Sequence, residues 1–399
     1  KMKFNTKLNR LGTETAFAVS GQARAWAEKG NKIYPFHLGD INLPTPKNIR
    51  EATHKYMNQN KNGYCPSEGI PELREALAND VGTKRNVQYG FENVVVQPGG
   101  KPTIWKFFAV VMNEGDEVLY PNPGYPIYES QIKFQGGIPV PYGYDETESG
   151  FAIDIEKLRA SITDKTTALV YNNYQNPISA ASSQEEMEAL AELALEHDLW
   201  VLSDDAYYEI RYTDEPPRSI VSLPGMLERT VILYTFSKKF AMTGWRVGAS
   251  IGPKEVIKQI ARFNINDESC TNHFIQHALA ETVGGDQTGA KALLSELKAR
   301  RNKTVAGLNA IEGIHVPTPE STFYSYPNVT AVMAKKGFTD LDEFRTAALE
   351  STGVSFCARH HFGTPLADEP DHYIRLAYSG ITQDDIDEGL AKLKTWIEG

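Results

Sequence analysis

Short apolar runs alternate with amphipathic stretches through the middle of the chain. Buried strands are predicted where apolar residues follow one another closely, at 92–96, 116–120, 167–172, 199–204 and 230–236. A helix is predicted over 98–112, and the capping box formed by Ser182 and Glu185 predicts the start of another. Apolar residues of that second helix recur at helical spacing, namely Met187, Leu190, Ala191 and Ala194. This alternation predicts the α/β class, with a mostly parallel sheet sandwiched by helices.

The two ends of the chain have a different pattern from its middle. From about residue 286, long helical stretches are joined by a few strands. Thr382 is predicted to begin a final helix, whose apolar face consists of Ile386, Leu390, Leu393 and Ile397. We therefore predict a large α/β domain over 48–290 and a smaller α+β domain built from 1–47 plus 291–399.

Charge and cysteine content restrict the class of function. The 399 residues carry 41 Lys plus Arg against 51 Asp plus Glu, a net charge of −10 that disfavours nonspecific binding to nucleic acid or anionic membranes. No apolar run approaches the ~20 residues of a membrane-spanning helix, and no apolar core follows the basic N-terminal residues, so neither a span nor a signal peptide is expected. Cys65, Cys270 and Cys357 are odd in number and far apart, which suits a reducing cytoplasm and predicts neither a disulfide framework nor a metal cluster.

A lysine pair follows the last predicted strand in TFSKKFAMTGWRVG (235–248). Lys238 could form an imine with an anchored aldehyde, because burial favours the neutral amine. Arg246, eight residues later, could hold a phosphate through two nitrogens, and Thr235 adds a hydroxyl. The alternative is a solvated pair of lysines, Lys238 and Lys239, at the end of a strand.

Two adjacent carboxylates end the strand predicted at 199–204. Strand alternation sends Asp204 and Asp205 to opposite sides, so that one of them can face a pocket. A carboxylate there could keep a pyridine nitrogen protonated, and Tyr207 could donate to a phenolic oxygen. A surface turn with paired acids is the alternative.

Glycines precede the helix predicted at 98–112, in QPGGKPTIW (97–105). Gly99 and Gly100 would let backbone amides face an anion at the helix N-terminus, where the helix dipole favours phosphate. The segment is not a Walker loop, because Val95 stands where that pattern needs glycine. A Gly-Gly turn that only connects two elements is the alternative.

Three further residues could contact a flat cofactor or an acidic substrate. Tyr125 in YPNPGYPIY (120–128) offers a ring for stacking, and Asn176 in NNYQNPISA (172–180) could donate to a ring oxygen or a carboxylate. Arg375 lies in the apolar strand pattern of YIRLAYSG (373–380), where its anionic partner is either a substrate carboxylate or a structural acid. His273 and His277 are four residues apart but lack an evident third ligand, so no metal site is predicted.

Taken together, the order and spacing of these segments resemble the class I/II aminotransferases, the aspartate-aminotransferase-like group of fold-type-I pyridoxal-phosphate enzymes. The resemblance extends over about 35–397, and SKKFAMTGWRVG is its most specific motif. It implies pyridoxal 5'-phosphate as the cofactor, bound by the large domain. It also implies transamination between an amino acid and a 2-oxo acid, and a homodimer.

The resemblance implies a role for each matching residue. Lys238 corresponds to the imine-forming lysine and proton carrier, which leaves Lys239 outside the site. Asp204 corresponds to the partner of the pyridine nitrogen, and Tyr207 and Asn176 to the neighbours of the ring oxygen. The α-carboxylate of the substrate is assigned to Arg375, Gly39 and Asn176. The other matches concern the cofactor: Tyr125 stacks on the ring, Gly100, Lys101, Thr235 and Arg246 surround the phosphate, and Tyr64 reaches the phosphate of the neighbouring subunit.

Two segments depart from the family pattern. Ile178-Ser179 follows Asn176-Pro177 in place of Thr-Gly, which predicts an altered turn near the ring. The loop CARHHFG (357–363) replaces a Pro-Gly-rich loop, and the positive charge that Arg359, His360 and His361 could add suggests a preference for an acidic or polar substrate side chain. A solvated loop is the alternative. β-Elimination, cyclisation or oxidation on the same cofactor therefore stays open. A non-enzymatic DNA-binding regulator is disfavoured, because the chain has no spare basic segment for a DNA-binding module.

Overall fold

The computed structural model describes residues 1–12 and 15–399 of the chain. Its α-helices are α1 (Ala16–Glu28), α2 (Lys47–Asn58), α3 (Pro71–Arg85), α4 (Lys101–Val111), α5 (Ile127–Phe134), α6 (Ile155–Ala160), α7 (Gln184–Glu196), α8 (Lys254–Asn266), α9 (His273–Val283), α10 (Thr288–Asn309), α11 (Thr330–Lys336), α12 (Leu341–Thr352) and α13 (Gln383–Glu398). Single 3-10 turns occur at Thr6–Arg10, Phe91–Asn93, Ile220–Ser222, Thr243–Trp245 and Arg359–His361.

The strands are short and fall into four sheets. They are β1 (Tyr34–Pro35), β2 (Val94–Gln97), β3 (Glu117–Pro121), β4 (Ile138–Tyr142), β5 (Tyr144–Thr147), β6 (Gly150–Ile153), β7 (Thr166–Tyr171), β8 (Trp200–Asp204), β9 (Thr230–Thr235), β10 (Gly248–Ile251), β11 (Tyr324–Ser325), β12 (Val354–Ser355), β13 (Cys357–Ala358) and β14 (Ile374–Ala377). Each strand predicted from an apolar run is present, with ends shifted by one or two residues.

A seven-stranded sheet with the order β2-β10-β9-β8-β7-β3-β4 forms the centre of the molecule. Strands β4, β3, β7, β8 and β9 pair in parallel, whereas β10 is antiparallel to both of its neighbours. The predicted mostly parallel sheet is thus confirmed. Strand β10 was not predicted, because its sequence GASI contains a single large apolar residue.

Helices cover both faces of this sheet, as the burial of alternate strand residues shows. Val118, Val170 and Leu202 pack into a core with residues of α4, α5 and α8. Their neighbours Leu119 and Val201 pack on the opposite face, with residues of α7. Continuous apolar runs suit such strands because both of their faces are buried.

The capping box predicted at Ser182 is displaced by one residue. Ser183 is the N-cap of α7, and its side chain accepts a hydrogen bond from the amide of Glu186 at 3.1 Å. Ser182 is instead buried, and the phenol of Tyr171 donates to its hydroxyl at 2.6 Å. Ser182, which the local pattern assigned to the N-cap, is therefore engaged in a tertiary hydrogen bond instead. The apolar face predicted for α7 is confirmed, since Met187, Leu190, Ala191 and Ala194 are all buried.

The C-terminal part of the chain packs around a separate three-stranded sheet, β11-β14-β13. Thr382 caps α13 as predicted, with its hydroxyl accepting from the amide of Asp385 at 3.2 Å. The predicted apolar face of α13 is buried in one core with Tyr34 and Phe36 of the N-terminal segment. Both ends of the chain thus meet in this core. In the described part of the chain, none of the helices combines the length and apolar character needed to cross a bilayer.

Candidate active site

The predicted functional side chains gather at one edge of the central sheet. Asp204 is the last residue of β8, Lys238 lies three residues beyond β9, and Asn176 lies five residues beyond β7. Because β7, β8 and β9 are parallel neighbours, their carboxyl ends meet at the same edge. Sequence-distant groups therefore converge there.

Lys238 is the central amine of this edge. Its Nζ donates to the carbonyl of Gly39 at 3.3 Å and lies 5.9 Å from the ring centroid of Tyr207. Burial, followed by the charge of Arg375, lowers the pKa of Lys238 to about 8. Lys239 instead forms an ion pair with Glu209 at 3.0 Å. The two adjacent lysines thus have different surroundings, and only Lys238 faces the predicted site residues.

Asp204 is buried beneath the same edge. The phenol of Tyr128 donates to its Oδ2, and the amide of Ala206 donates to its Oδ1 at 3.1 Å. Burial raises the pKa of Asp204 to about 6, against the opposing effect of these hydrogen bonds. The carboxyl group is therefore mainly ionised at neutral pH.

The neighbouring carboxylate points the other way, as strand alternation predicts. Asp205 forms a buried ion pair with Arg85, with Nη2 and Oδ2 2.8 Å apart. The hydroxyl of Ser203 also donates to Asp205, at 2.7 Å. This pairing makes Asp205 a structural residue and leaves Asp204 for the pocket.

An anion cradle lies where β2 meets α4. Gly99 has a φ of +102°, and a Cβ atom there would collide with the guanidinium of Arg246. A Cβ at Gly100 would lie 2.7 Å from Leu233 and 3.3 Å from the Cβ of Thr235. The glycines therefore bring the N-terminus of α4 against Arg246 and Thr235, two of the predicted phosphate ligands. The hydroxyl of Thr235 donates to Ser237 at 2.9 Å, which adds a second hydroxyl to the cradle.

Arg375 is buried in β14 without a carboxylate partner within ion-pair distance in residues 1–12 and 15–399. Its Nη1 donates to Oδ1 of Asn176 at 2.9 Å, and its Nη2 donates to the carbonyl of His37 at 3.3 Å. Its Nε is buried with no hydrogen-bond acceptor. A buried arginine without a carboxylate partner would be stabilised by an external anion.

The remaining predicted residues are Tyr125, Lys101 and Tyr64, and their surroundings differ. The ring of Tyr125 meets Tyr128 edge-on, with centroids 5.8 Å apart. Nζ of Lys101 lies 5.7 Å from the Tyr125 centroid. The side chain of Tyr64 is 89% exposed, so a single chain does not bring it into the site.

The two departures from the family pattern have structural explanations. Ser179 adopts a left-handed φ of 56°, and its hydroxyl donates to the carbonyl of Tyr324 at 2.8 Å. That hydrogen bond offsets the cost of a non-glycine residue in this conformation. Arg359 is buried, and its Nη2 lies 2.6 Å from Oε1 of Glu369. Its charge is therefore already neutralised, which argues against the predicted effect on substrate choice.

Sequence reasoning missed three residues that organise the site. Tyr128 donates to Asp204, and the phenol of Tyr324 hydrogen-bonds that of Tyr207. Asn172 donates to the carbonyl of Asp204 at 2.8 Å and accepts from the amide of Asn176 at 3.1 Å. The spacing of Tyr125 and Tyr128, three residues apart at the start of a helix, was the one available signal.

These groups fit pyridoxal 5'-phosphate. The glycine cradle with Arg246 and two hydroxyls suits a phosphate, and ionised Asp204 suits a protonated pyridine nitrogen. Lys238 has the lowered pKa that an amine needs to react with an aldehyde near neutral pH. The unsatisfied Nε of Arg375 suits a carboxylate of a second ligand.

Comparison with known proteins identifies the family of the chain. Residues 32–393 match the family described as aminotransferase class I and II. The chain is 31% identical over 398 residues to an aspartate aminotransferase of Bacillus subtilis (strain 168), an alignment that covers 100% of this chain and 99% of the relative. It is 33% identical to an asparagine–oxo-acid transaminase of Streptococcus mutans, over 94% of this chain and 95% of the relative.

Solved structures agree with the sequence relatives. Aspartate aminotransferase from Thermus thermophilus with maleate superposes with a TM-score of 0.90 at 28% identity, over 99% of this chain and 100% of that chain. Family, relatives and fold thus agree, and each relative is a transaminase by name. The chain belongs to the class I and II aminotransferases, and it is a transaminase.

Proposed function

We propose that the chain binds pyridoxal 5'-phosphate at Lys238 and transfers an amino group between an amino acid and a 2-oxo acid. The observation that carries the proposal is the convergence of three groups at one sheet edge. These are an amine of lowered pKa at Lys238, a buried carboxylate at Asp204 and Arg375, an arginine without an acidic partner among the residues that the structure describes. Together they match an electrophilic cofactor and a substrate carboxylate.

The cofactor would be held by four sets of residues. Gly100, Lys101, Thr235 and Arg246 would surround its phosphate, Asp204 its pyridine nitrogen, and Tyr125 one face of its ring. Asn176 and Tyr207 would contact the ring oxygen. Because Oδ1 of Asn176 already accepts from Arg375, its Nδ2 is the atom left to donate. When bound, the cofactor supplies an electron sink that stabilises negative charge at the substrate Cα.

Lys238 is the residue that we propose moves the proton. Burial, followed by the charge of Arg375, lowers the pKa of the Lys238 amine to about 8. An appreciable fraction of this amine is therefore neutral at neutral pH. A neutral amine at this position could accept the proton from the substrate Cα and donate it again within the same pocket. Asp204, mainly ionised above pH 6, would hold a ring nitrogen protonated.

Substrate orientation would depend on Arg375. Asn176 and the carbonyl of His37 hold its guanidinium in place through two hydrogen bonds. The rings of Tyr324 and Phe362 lie 4.3 and 4.6 Å from its Cζ, which restricts the plane of the guanidinium. An α-carboxylate bound there would be positioned relative to Lys238. Gly39, whose carbonyl accepts from Lys238, would line the same pocket.

We further propose a cytoplasmic homodimer whose large domain covers 48–290 and whose small domain combines 1–47 with 291–399. The exposed ring of Tyr64 supports the dimer, since a phosphate ligand contributed to a neighbouring subunit must project outward. The three free cysteines support a reducing compartment.

The test is a panel of amino donors, assayed with 2-oxoglutarate and with pyruvate as acceptors. Aspartate and asparagine are the first donors to examine, because the relative in Bacillus subtilis is named for aspartate and the relative in Streptococcus mutans for asparagine. Absorbance should shift between aldehyde and amine forms of the cofactor, with one keto acid released per donor consumed. Release of ammonia or peroxide without an acceptor would contradict the proposal in favour of other chemistry on this cofactor.

A further inference from the structure

A cavity of about 330 Å³ lies between the β5–β6 hairpin and the loop over 366–373. Its lining residues are distinct from those that we assign to the cofactor and the substrate carboxylate. Arg359 and Ile178 lie on its inner side, and the hairpin and the loop form its outer walls. The volume is within the range of pockets that bind small organic molecules.

The walls of this cavity carry an excess of negative charge. Six of its lining residues are carboxylates, and two are cations. Arg359 pairs with Glu369, and Lys157 lies 3.6 Å from Asp368, so both cations are already neutralised. In the described part of the chain, no cationic side chain lies within ion-pair distance of the four others, Asp145, Glu146, Asp154 and Asp371. The cavity therefore attracts a positively charged ligand.

Aromatic rings form one wall of the same cavity. The rings of Tyr326 and Tyr373 are parallel, with centroids 5.1 Å apart and an interplanar angle of 3°. Phe151 meets both of them edge-on, with its centroid 5.9 Å from each. Aromatic faces bind quaternary and primary ammonium groups through their quadrupole, which favours an organic cation.

The carboxylates are not arranged for a metal ion. We looked for three or more His, Cys, Asp or Glu side chains whose ligand atoms all lie within 4.8 Å of one another. Among residues 1–12 and 15–399, this condition is met by Asp342, His360 and His361, which lie outside this cavity. Divalent cations require oxygen ligands that converge at about 2.0–2.6 Å. Dispersed carboxylates around an aromatic wall suit a larger cation with distributed contacts.

We propose that the cavity beside the β5–β6 hairpin is a binding site for a small organic ammonium compound, separate from the transamination site. The aromatic wall of Phe151, Tyr326 and Tyr373 would contact the alkyl ammonium group. The carboxylates of Asp145 and Glu146, at the rim, would balance its charge. The proposal does not depend on the proposed function, because the ligand and its contacts differ.

Choline is a suitable probe, because its quaternary nitrogen cannot react with an aldehyde cofactor. Its neutral isostere is 3,3-dimethylbutan-1-ol, which has the same shape without the charge. Calorimetric titration of the full-length protein, with and without pyridoxal 5'-phosphate, should show choline binding at least about tenfold tighter than the isostere. The variant Asp145→Asn/Glu146→Gln should lose about tenfold in choline affinity.

A matched control separates local contacts from net charge. Glu148→Gln/Glu156→Gln removes the same charge from exposed positions next to the cavity and should leave choline affinity unchanged within about twofold. Equal affinity for choline and the isostere would overturn the proposal. Equal effects of the two double variants, or the absence of choline binding to the unmodified protein, would also overturn it.

Discussion

The phenol of Tyr128 and the carboxylate of Asp204 form a buried hydrogen bond beneath the candidate active site. The two residues are 76 positions apart, on α5 and β8. The hydrogen bond favours the ionised carboxylate, whereas burial favours the neutral one, and burial has the larger effect, with a pKa of about 6. Tyr128 therefore helps to keep Asp204 charged near neutral pH, as the proposed contact with a protonated pyridine nitrogen would require.

Replacing Tyr128 by phenylalanine should raise the pKa of Asp204. The lost hydrogen bond to a charged group corresponds to about 1.5–3 kcal/mol, so the acidic limb of the kcat/KM profile should move to higher pH by about one unit or more. Activity should fall most between pH 6 and 7. Tyr142→Phe is the control, because the phenol of Tyr142 donates to the carbonyl of Val170 instead. An unchanged acidic limb in Tyr128→Phe would show that Asp204 does not control it.

Lys238→Ala should abolish transamination, with a loss of kcat of at least about 10³-fold. Borohydride treatment should no longer attach the cofactor to the protein, as mass spectrometry would show. Lys239→Ala should retain activity within a few-fold, since Lys239 is held by Glu209 outside the site. Retention of covalent attachment in Lys238→Ala and its loss in Lys239→Ala would reverse the assignment of the two lysines.

Covalent uptake of pyridoxal 5'-phosphate by the apoprotein should depend on pH through Lys238. Only the neutral amine attacks an aldehyde, so the rate should increase about tenfold per pH unit well below pH 8 and level off above it. The charge of Arg375 lowers the pKa of Lys238, so Arg375→Leu should move the midpoint to higher pH. Stopped-flow absorbance measures both profiles. A midpoint near pH 10, the ordinary range of lysine, would contradict the buried environment of this amine.

Arg375→Lys should raise KM for amino acids by about 10²-fold while retaining part of kcat. Lysine keeps the charge, but it loses the two-nitrogen geometry and cannot keep both hydrogen bonds, to Asn176 and to His37. The control uses a primary amine that lacks the α-carboxylate, whose slow reaction should be equal in both proteins. Equal losses for amino acid and amine would assign Arg375 a structural role only.

Arg359→Ala should destabilise the protein by about 2–4 kcal/mol, because it leaves Glu369 and Asn122 without their charged partner. The order of preference among aspartate, asparagine and alanine as donors should stay the same. Chemical denaturation and the donor panel measure these two outcomes. Lys303→Ala, which removes an exposed pair with Asp387, should change stability by less than about 1 kcal/mol. A selective loss of acidic donors in Arg359→Ala would restore a role for this charge in substrate choice.

Local patterns predicted the strands and helices with ends shifted by a few residues. Apolar runs identify strands that are buried on both faces, which is why β3, β7, β8 and β9 were predicted and the Gly- and Ser-containing β10 was not. The predicted N-cap of α7 was wrong by one residue, because the hydroxyl of Ser182 accepts a hydrogen bond from Tyr171 in the core. Local propensity cannot show when a distant side chain uses the same hydroxyl.

The amino-acid sequence by itself determined five strands of the central sheet, the helices α4, α7 and α13, the family and the candidate chemistry of Lys238, Asp204 and Arg246. These follow from periodicity and from spacing within short motifs, which are properties of neighbouring residues. Only the tertiary structure showed that Asp205 forms an ion pair with Arg85 and Arg359 with Glu369, and that Asp204 accepts a hydrogen bond from Tyr128. Such pairings depend on which elements the sheet brings side by side, and burial then sets the charge of each partner.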